Sequence, residues 1–328
     1  MRRKILLFIF FILVFVMGSL SGVYGWKYYS SCKTKFSFIN PSLACGTASK
    51  FNKSNPIVLK EKLTNFIADK KNAGEASTIS VYFRDLEDGP VMGIDEDELF
   101  ISASLLKLPI VLTFFRLAED GAPHILDQNI LYELGKNAGP PPAQYFIPIK
   151  SAVPGSTYSV NELIYYSLVY SDNSAIEILK TYLKNIGNGQ DLILGTFKDL
   201  GLTEPSSLST SDISTRGYAS IFRQLFNASY LSNESSEKVL SVLSESQFKS
   251  GLTVGVPEGV RVAHKFGERE MGEEKQLHDC GIVYYPGNPY LICVMTRGKN
   301  YDTLAHVVGD ISKMVYDEMN IRAKALAK

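Results

Sequence analysis

Segments with the alternating pattern of β-strands fall into two groups that lie far apart in this chain of 328 residues. The segments are, in chain order, 78–84, 91–94, 260–266, 277–285 and 290–297. Between the groups the apolar periodicity is mostly helical, and helical patterns also cover 57–70 and 303–325. Because two distant strand groups share one core most simply within one sheet, this order predicts an α+β fold of the α/β-sandwich type. Its five-stranded antiparallel sheet would carry the terminal helices on one face and an all-helical lobe on the other.

Composition indicates a globular body and argues against one class of partner. Lysines plus arginines and aspartates plus glutamates number 34 each, so the formal net charge of zero gives no basis for binding nucleic acid. The apolar fraction of 45% is typical of a well-filled core. No internal repeat divides the chain into similar units.

The amino terminus has the pattern of a targeting or anchoring segment. Three cations at 2–4 precede an apolar run, 5–16, that continues through small residues to Trp26. Positive charges before such a run favour a cytoplasmic start and an exported body. The small residues permit cleavage of this segment. Trp26 and Tyr28 are typical of an aromatic belt at the membrane interface, which favours retention of the segment as an anchor. We predict a signal or anchor over 1–26, with the body anchored to the outer face of the cytoplasmic membrane, periplasmic or extracellular, or secreted after cleavage.

The cysteines form two pairs in sequence. They are Cys32, Cys45, Cys280 and Cys293. The last two flank Pro286-Gly287-Asn288-Pro289, and a hairpin centred on the middle of that tetrapeptide would place Cys293 opposite Ile282, with Cys280 as its diagonal neighbour. An exported protein could join them as a disulfide, and a buried pair of free thiols fits equally well. Neither pair has metal-site spacing, so we predict no metal and no cofactor.

Ser104-Leu105-Leu106-Lys107 combines a hydroxyl with an amine three positions later. A serine hydroxyl is a weak nucleophile that needs an adjacent base, and residues three apart lie on the same face of a helix. The following residues, 108–115, are nearly all apolar, which predicts a buried helix. Burial lowers the pKa of a lysine, so Lys107 could accept the proton of Ser104 near neutral pH. Taken alone, the pattern also fits a core helix with a surface lysine.

Ser171-Asp172-Asn173 interrupts a helical region. Ser159 and Glu162 form a capping box, which predicts a helix that ends near residue 170. Asn173 or Ser174 is then predicted to cap the next helix. The motif would therefore lie in a short loop whose side chains can face a cleft, although a plain interhelical turn uses the same residue types.

His264-Lys265-Phe266-Gly267 ends an extended run that precedes the last two strand segments. A Ser-His-Asp arrangement that uses His264 or His278 with Asp279 is an alternative. It is disfavoured because the chain has no Gly-x-Ser-x-Gly elbow, and because His278 and Asp279, as neighbours on a strand, would face opposite sides of the sheet.

In this order the three motifs resemble the signature of the penicillin-recognising serine hydrolases, the class A β-lactamases and penicillin-binding proteins. The resemblance extends from about 57 to 324, and we predict a linker at 27–56 and one β-lactamase-like catalytic domain at 57–328. It implies an acyl-enzyme on Ser104 with Lys107 as the base. Ser171 would relay a proton to the leaving nitrogen.

The resemblance also implies the residues that bind the substrate. Asn173 would hold Lys107 and the substrate amide, and Lys265 would supply positive charge for a substrate carboxylate. The backbone N–H of Glu268, which follows Gly267, would pair with that of the nucleophile in an oxyanion hole.

Two positions depart from the family pattern. The family usually has Thr or Ser at the position of Phe266, where the hydroxyl binds the carboxylate, and a phenyl ring cannot replace it. The family's deacylating glutamate lies between the second and third motifs, and here its close match is Glu204, ahead of a helical pattern at 215–226. No asparagine follows it at the expected offset. We predict Glu204 either as the deacylating base or as a solvated loop acid.

These features predict an exported serine hydrolase that opens the β-lactam ring through acyl-Ser104. One alternative is a D-alanyl-D-alanine peptidase or transpeptidase with the same nucleophile. Another is a membrane-anchored relative that binds cell-wall peptides without turnover. The predicted partners are a β-lactam or cell-wall peptide and, through the N-terminal segment, a membrane.

Overall fold

The computed structural model describes residues 2–30, 36–43, 56–87, 89–202 and 211–326. The helices in these ranges are α1 (Arg2–Ser30), α2 (Ile57–Asn72), α3 (Lys107–Glu119), α4 (Val160–Val169), α5 (Asn173–Asn185), α6 (Gly189–Asp199), α7 (Thr215–Phe226), α8 (Asn233–Ser244) and α9 (Tyr301–Leu326). The strands are β1 (Thr78–Asp85), β2 (Val91–Ile94), β3 (Phe100–Ile101), β4 (Asn129–Leu131), β5 (Thr157–Ser159), β6 (Asp212–Ile213), β7 (Val262–Met271), β8 (Glu274–Val283) and β9 (Tyr290–Gly298).

Five strands form one antiparallel sheet in the order β2-β1-β9-β8-β7. The two distant strand groups meet where β1 pairs with β9, for example at Tyr82 and Cys293. β7 lies at an edge of this sheet and pairs with β8. The α+β prediction with a five-stranded antiparallel sheet is thereby confirmed.

The sheet separates two hydrophobic cores. On one face α9 packs against β8 and β9 and also contacts α2, as expected for the terminal helices. On the other face α7 packs against β1, β8 and β9, and the helices α3–α8 form a lobe with its own core. Helix α3, which follows Ser104, belongs to that lobe, and residues 107–115 are all buried, as their apolar pattern predicts.

The β8–β9 hairpin has a register that differs from the predicted one. In the turn Tyr285-Pro286-Gly287-Asn288 the first carbonyl accepts the last N–H at 3.0 Å, and the glycine has φ of +78°. Proline followed by a glycine of positive φ is the arrangement of a type II turn. Because the chain reverses one residue earlier than predicted, Cys293 lies opposite Cys280 and not opposite Ile282.

A disulfide joins Cys280 to Cys293 across this hairpin. Both residues are fully buried on the sheet face that packs against the helical lobe. Cys280 is also the direct cross-strand neighbour of Lys265 on β7. Of the two alternatives left open by the sequence, the structure has the disulfide, and it braces the sheet beside the third motif. Cys32 and Cys45 lie outside the described residues.

Replacing both Cys280 and Cys293 by alanine is expected to lower the free energy of unfolding by about 3 kcal/mol. The bridge spans a sequence separation of 13, and such a cross-link restricts the unfolded chain. Chemical denaturation of the wild type and the double variant without reductant measures the difference. If the two proteins unfold with equal denaturation midpoints and slopes, the disulfide adds no stability beyond that of the packed strands.

Residues 36–43, part of the predicted linker, are docked on the helical lobe. The carboxylate of Glu237 on α8 accepts the backbone N–H groups of 37–39 at 2.6, 2.8 and 3.1 Å. The Phe38 carbonyl accepts the Tyr284 hydroxyl at 2.9 Å, and the two rings pack edge to face. This part of the predicted linker is therefore held against α8, because one carboxylate accepts three consecutive N–H groups.

α1 has the length and composition of a membrane-crossing helix or a signal sequence. Its stretch Leu7–Trp26 has a mean hydropathy of 2.4 and is not buried by the rest of the chain. About 20 apolar residues are needed to cross a bilayer as a helix. The helix thus has the physical properties expected of the predicted targeting segment.

Candidate active site

The candidate nucleophile lies on a constrained turn at the start of α3. Ser104 belongs to the 3₁₀ turn Ala103–Leu106, and its side chain is half-buried. Ala103 has φ of +49°, a left-handed conformation that costs a non-glycine residue about 1–3 kcal/mol. The turn is fixed from the lobe by Tyr218, whose hydroxyl donates to the Leu105 carbonyl at 3.0 Å. Such a conformation persists only where the surroundings enforce it.

Lys107 is buried and fully engaged with the second motif. Its Nζ lies 2.5 Å from the Ser171 carbonyl oxygen, 3.3 Å from Ser171 Oγ and 2.8 Å from Asn173 Oδ1. Burial lowers the pKa of Lys107 from 10.5 to about 7, although the charges of Asp172 and Glu268 act in the opposite direction. A large fraction of this amine is therefore neutral near pH 7.

The second motif lies between α4 and α5, as predicted. The capping box is present: Glu162 N donates to Ser159 Oγ at 3.2 Å, and Ser159 N donates to Glu162 Oε2 at 2.7 Å. Ser171 follows the helix with φ of +56°, which turns its carbonyl and hydroxyl toward the two lysines of the site. This residue is buried.

The cap of α5 differs from the prediction. Asp172 is the N-cap, because its Oδ1 accepts the N–H of Ser174 at 3.0 Å. Its Oδ2 also accepts the N–H of Ala152 at 2.7 Å. The prediction that Asn173 or Ser174 caps this helix is therefore wrong. Since the aspartate does the capping, the Asn173 side chain remains available to bind Lys107.

Lys265 on β7 reaches the same hydroxyl from the sheet side. Its Nζ lies 2.9 Å from Ser171 Oγ and 2.8 Å from the Phe266 carbonyl oxygen. Burial, followed by the charge of Lys107, lowers the pKa of Lys265 well below its ordinary value of 10.5. The Ser171 hydroxyl thus lies between two amines whose pKa values are both lowered by burial.

Gly267 is packed against the nucleophile turn. A Cβ atom at this position would lie 3.1 Å from the Ser102 carbonyl oxygen and 3.2 Å from the Leu105 backbone nitrogen. Both neighbours are backbone atoms, so the strand and the turn could not approach this closely with any larger residue. The third motif is therefore packed directly against the backbone of the turn that contains Ser104.

The side chain of Glu268 has a role that the sequence analysis did not assign. Its carboxylate accepts the N–H of Tyr145 at 2.7 Å through Oε1 and the N–H of Phe146 at 3.2 Å through Oε2. Burial raises the pKa of Glu268, while the two backbone donors and then Lys265 act to lower it. These bonds fasten a segment of the lobe side of the cleft to β7.

That segment is the crossing loop, defined here as residues 139–146. Its Gln144 Nε2 donates to the Ser171 carbonyl at 3.4 Å. The Tyr145 hydroxyl donates to Asp302 Oδ2 at 2.5 Å, and the Tyr145 ring lies 5.0 Å from that of Tyr301. Three consecutive prolines predict a stiff loop. Which distant residues this loop contacts cannot be inferred from its local composition.

An aromatic cluster, defined as Phe146, Phe248 and Phe266, packs on the face of β7 that Phe266 shares with His264. The Phe248 and Phe266 rings stack with centroids 4.0 Å apart and planes 15° apart. Phe146 packs edge to face on both, at 4.9 and 6.0 Å. Phe266 is only 4% exposed, so the ring is committed to this packing. The departure from the family at Phe266 is thus part of a local apolar structure.

A cavity of about 710 Å³ lies beside Ser104, the candidate nucleophile. Four of the predicted site residues, Ser104, Lys107, Asn173 and Glu268, contribute to its lining. The wall also contains the ion pair of Glu177 with Lys180 on α5, which sequence reasoning did not single out. Ser171 contacts Lys107 from this group, Lys265 contacts Ser171, and Gly267 packs on the turn that contains Ser104. Glu204 lies outside the residues that the structure describes, so its role stays a prediction.

The histidine alternative is not formed. His264 Nδ1 lies 2.8 Å from Asp279 Oδ1, and both side chains are fully buried. The second carboxylate oxygen of Asp279, Oδ2, accepts the N–H of Leu252 at 2.9 Å. The His264 ring lies beside that of Phe248, with the ring centroids 6.5 Å apart. Strand alternation places His264 on the opposite face from Lys265 and Gly267. His278 is also buried, which lowers its pKa to about 4, and its Nε2 donates to the carbonyl of residue 101 at 3.0 Å.

Comparison with known proteins gives a consistent result. A curated β-lactamase from Bacteroides uniformis is 26% identical over 198 residues, which cover 54% of this chain and 67% of that protein. A mutant of PBP-A, solved as its acyl-enzyme complex with penicillin G, is similar in structure, with a TM-score of 0.66 and 22% identity over 82% of this chain and 98% of that chain. A β-lactamase from Chitinophaga pinensis has a TM-score of 0.65 and 19% identity over 79% of this chain and 99% of its own.

The two structural similarities, at these identities, concern the fold. The family model described as "Beta-lactamase enzyme family" matches residues 58–319, which is most of the chain and includes all three motifs. This protein therefore belongs to the beta-lactamase enzyme family.

Proposed function

We propose that this protein is an exported serine hydrolase that opens β-lactam rings through an acyl-enzyme on Ser104. The observation that carries the proposal is the position of the Ser171 hydroxyl, 3.3 Å from Lys107 Nζ and 2.9 Å from Lys265 Nζ. Such a chain of amine and hydroxyl groups is suited to moving a proton from a nucleophile to a leaving group. The cavity of about 710 Å³ beside Ser104 provides space for the acyl group.

Lys107 is proposed as the base for acylation. A neutral amine has two N–H bonds and one lone pair. The shortest contacts of Lys107 Nζ, to the Ser171 carbonyl oxygen and Asn173 Oδ1, use both N–H bonds, because both partners are acceptors. The lone pair remains for the hydroxyl proton of Ser104. As that proton moves to Lys107, the Ser104 oxygen forms a bond to the carbonyl carbon of the substrate.

The ring then opens by proton transfer in the opposite direction. The bond between the carbonyl carbon and the amide nitrogen breaks, Ser171 gives its proton to that nitrogen, and Lys107 restores the proton of Ser171. The backbone N–H groups of Ser104 and Glu268 would hold the oxyanion, and each such donor typically changes the rate about 100–1000-fold. The close packing of Gly267 against the nucleophile turn supports this pairing. Water finally hydrolyses the ester and releases the product.

Intact-mass spectrometry of the full chain in detergent, followed over time after addition of penicillin G, tests the proposal. We expect an adduct that forms and then disappears, and no adduct in Ser104→Ala, because the acyl group is carried by that oxygen. A persistent adduct would instead indicate a penicillin-binding peptidase or transpeptidase. Absence of any adduct in the wild type would favour the binding protein without turnover.

Glu204→Gln is expected to slow release of the adduct by at least about 100-fold while acylation proceeds at the wild-type rate. The reason is that a glutamine cannot take the proton of the hydrolytic water. The same mass measurement gives both rates. Glu258→Gln, at an exposed position on the way to β7, is the matched control and should release the adduct normally. If Glu204→Gln releases the adduct as fast as the wild type does, Glu204 is a solvated loop acid and not the deacylating base.

Export is part of the proposal and rests on α1. The helix begins with a cationic stretch and continues with apolar residues of sufficient length to cross a bilayer. This arrangement supports a catalytic body outside the cytoplasm, where a disulfide such as Cys280–Cys293 forms and persists.

A further inference from the structure

Arg269 lies on the part of β7 that continues past Gly267. Gly267 packs against the turn that contains Ser104, and Lys265, two positions earlier, binds Ser171 Oγ. Successive residues of a strand face opposite sides, so Lys265, Gly267 and Arg269 share one face of β7. Each step of two residues corresponds to about 7 Å along a strand. Arg269 therefore follows Gly267 on this face, on the side away from Lys265.

The cross-strand neighbour of Arg269 shows what this face of β7 borders. Arg269 is paired with Gln276 on β8, and directly opposed residues of two antiparallel strands share a face. Gln276 Oε1 accepts the N–H of Ile101 at 3.1 Å, and Ile101 comes three residues before Ser104. Arg269 is exposed and belongs to the lining of the cavity beside Ser104. It therefore contributes to the cavity wall from the face that borders the turn of Ser104.

The proposed mechanism fixes the direction of a substrate along this strand. The carbonyl carbon would lie at the Ser104 oxygen, and the leaving nitrogen would lie next to Ser171, which Lys265 binds. The acyl substituent is bonded to the same carbon, on the side opposite the nitrogen. It would therefore extend away from Ser171, along β7 toward Arg269.

Arg269 is a cation of the cavity wall that has no ion pair with another residue in the described parts of the chain. Lys180, a second cation of this wall, is paired with Glu177 one turn earlier on α5, with 2.8 Å between Nζ and Oε1. The third is Lys107, and burial lowers its pKa to about 7. The guanidinium of Arg269 stays charged at this pH. It is thus the positive charge of the wall that remains for a ligand.

The two acids that flank Arg269 in sequence have partners of their own. Glu270 Oε2 lies 3.1 Å from Lys275 Nζ. The carboxylate of Glu268 accepts two backbone N–H groups of the crossing loop, and burial raises its pKa. Strand alternation also directs both acids to the face opposite that of Arg269. An added carboxylate can therefore bind the guanidinium of Arg269, which matches two carboxylate oxygens with two parallel N–H bonds.

We propose that Arg269 determines specificity by favouring substrates with a negative charge on the acyl side of the scissile amide. The proposal rests on the proposed function, since it requires acylation of Ser104. Among β-lactams, those with a carboxylate on the acyl side chain gain from this contact. Among peptide-like substrates, those with an acidic group before the scissile amide gain from it.

The test uses three penicillins that differ at one carbon of the acyl side chain. That carbon carries a hydrogen in penicillin G, a carboxylate in carbenicillin and an amine in ampicillin. The second-order rate of adduct formation on the full chain in a non-ionic detergent is measured by intact mass for each compound. The carbenicillin ratio is the rate with carbenicillin divided by that with penicillin G, and the ampicillin ratio is defined in the same way. The intrinsic reactivity of each compound cancels when a ratio is compared between variants.

Arg269→Gln is expected to lower the carbenicillin ratio about tenfold, the effect of losing one charge-assisted pair. The ampicillin ratio should not fall, because loss of one cation does not weaken the binding of another. Arg269→Lys keeps the charge, so its carbenicillin ratio should stay within about threefold of the wild type. Arg223→Gln removes an equal charge at an exposed position of α7 and is the matched control, with both ratios unchanged.

The salt dependence of the wild type tests the same contact without a substitution. Raising the KCl concentration from about 0.05 to 0.5 M should lower the carbenicillin ratio, because salt screens the attraction between two accessible charges. The ring carboxylate is common to carbenicillin and penicillin G, so its own screening cancels in the ratio.

The outcomes separate this proposal from the one on which it rests. A carbenicillin ratio of Arg269→Gln within about twofold of the wild type overturns the role of Arg269 and leaves acyl-Ser104 in place. Equal falls of the carbenicillin and ampicillin ratios indicate a loss of shape and also overturn it. If Arg269→Gln does not fold, a wild-type carbenicillin ratio that is independent of salt overturns the charge selection. No adduct from any of the three compounds contradicts the proposed function and this inference together.

Discussion

Lys107→Ala is expected to slow acylation of Ser104 by about 1,000-fold, which is within the usual range for loss of a general base. The amine is 4% exposed and bound by Ser171 and Asn173, so solvent has little room to replace it in the same position. The measurement is the rate of adduct formation with a β-lactam. Lys184→Ala, at an exposed position of α5, is the control and should acylate at the wild-type rate.

Lys107→Arg distinguishes a base from a positive charge. An arginine keeps the charge but does not lose its proton in proteins, so this variant should be as slow as Lys107→Ala. The pH dependence of the acylation rate of the wild type is a second test of Lys107. Because the pKa of Lys107 is lowered to about 7, acylation should level off above that pH and fall about tenfold per pH unit well below it. A rate independent of pH between 5 and 8, or rapid acylation of Lys107→Arg, would exclude Lys107 as the base.

Gly267→Ala is expected to slow acylation by about 100-fold without unfolding the protein. The new Cβ atom would lie 3.1 Å from the Ser102 carbonyl oxygen and 3.2 Å from the Leu105 nitrogen. Both are backbone atoms, so strand and turn must separate by a few tenths of an ångström. That displacement would move the N–H of Glu268 away from the proposed oxyanion position, and catalytic geometry is sensitive to shifts of this size.

The matched control for this substitution is Gly195→Ala on α6. No atom lies within 4 Å of the Cβ that it would introduce, and an alanine within a helix is more favourable than a glycine. Acylation should be unchanged and the melting temperature equal or higher. Wild-type acylation by Gly267→Ala would mean that the third motif does not contribute to the oxyanion hole.

The elements of the fold were accessible from the sequence because their signals are local. β2 at Val91–Ile94 and α7 at Thr215–Phe226 have the predicted bounds, since alternation and helical periodicity are properties of consecutive residues. The capping box at Ser159 is also a local device. The motif residues around Ser104 could be proposed together because a resemblance gave their order, not because their spacing implied contact.

What the sequence did not reveal depends on a turn type or on tertiary packing. The hairpin register followed from whether the chain reverses at Pro286-Gly287 or one residue later, and composition alone fits both. The bonds from Tyr145 and Phe146 to Glu268 join residues more than a hundred positions apart, so no local pattern reports them. His264 and Asp279 are brought together by the register of β7 and β8, which no local pattern reports either.

The docked segment at 36–43 has a consequence for where the enzyme can work. Seven peptide units separate Ser30, at the end of α1, from Ser37, which Glu237 holds. A chain of that length spans at most about 25 Å when fully extended. If α1 stays in a bilayer as an anchor, Ser37 therefore lies within about 25 Å of the outer end of that helix, and the body cannot diffuse away from the membrane. A body anchored in this way would meet a cross-linked wall polymer only near the bilayer, whereas a freely diffusing β-lactam would reach it without that restriction.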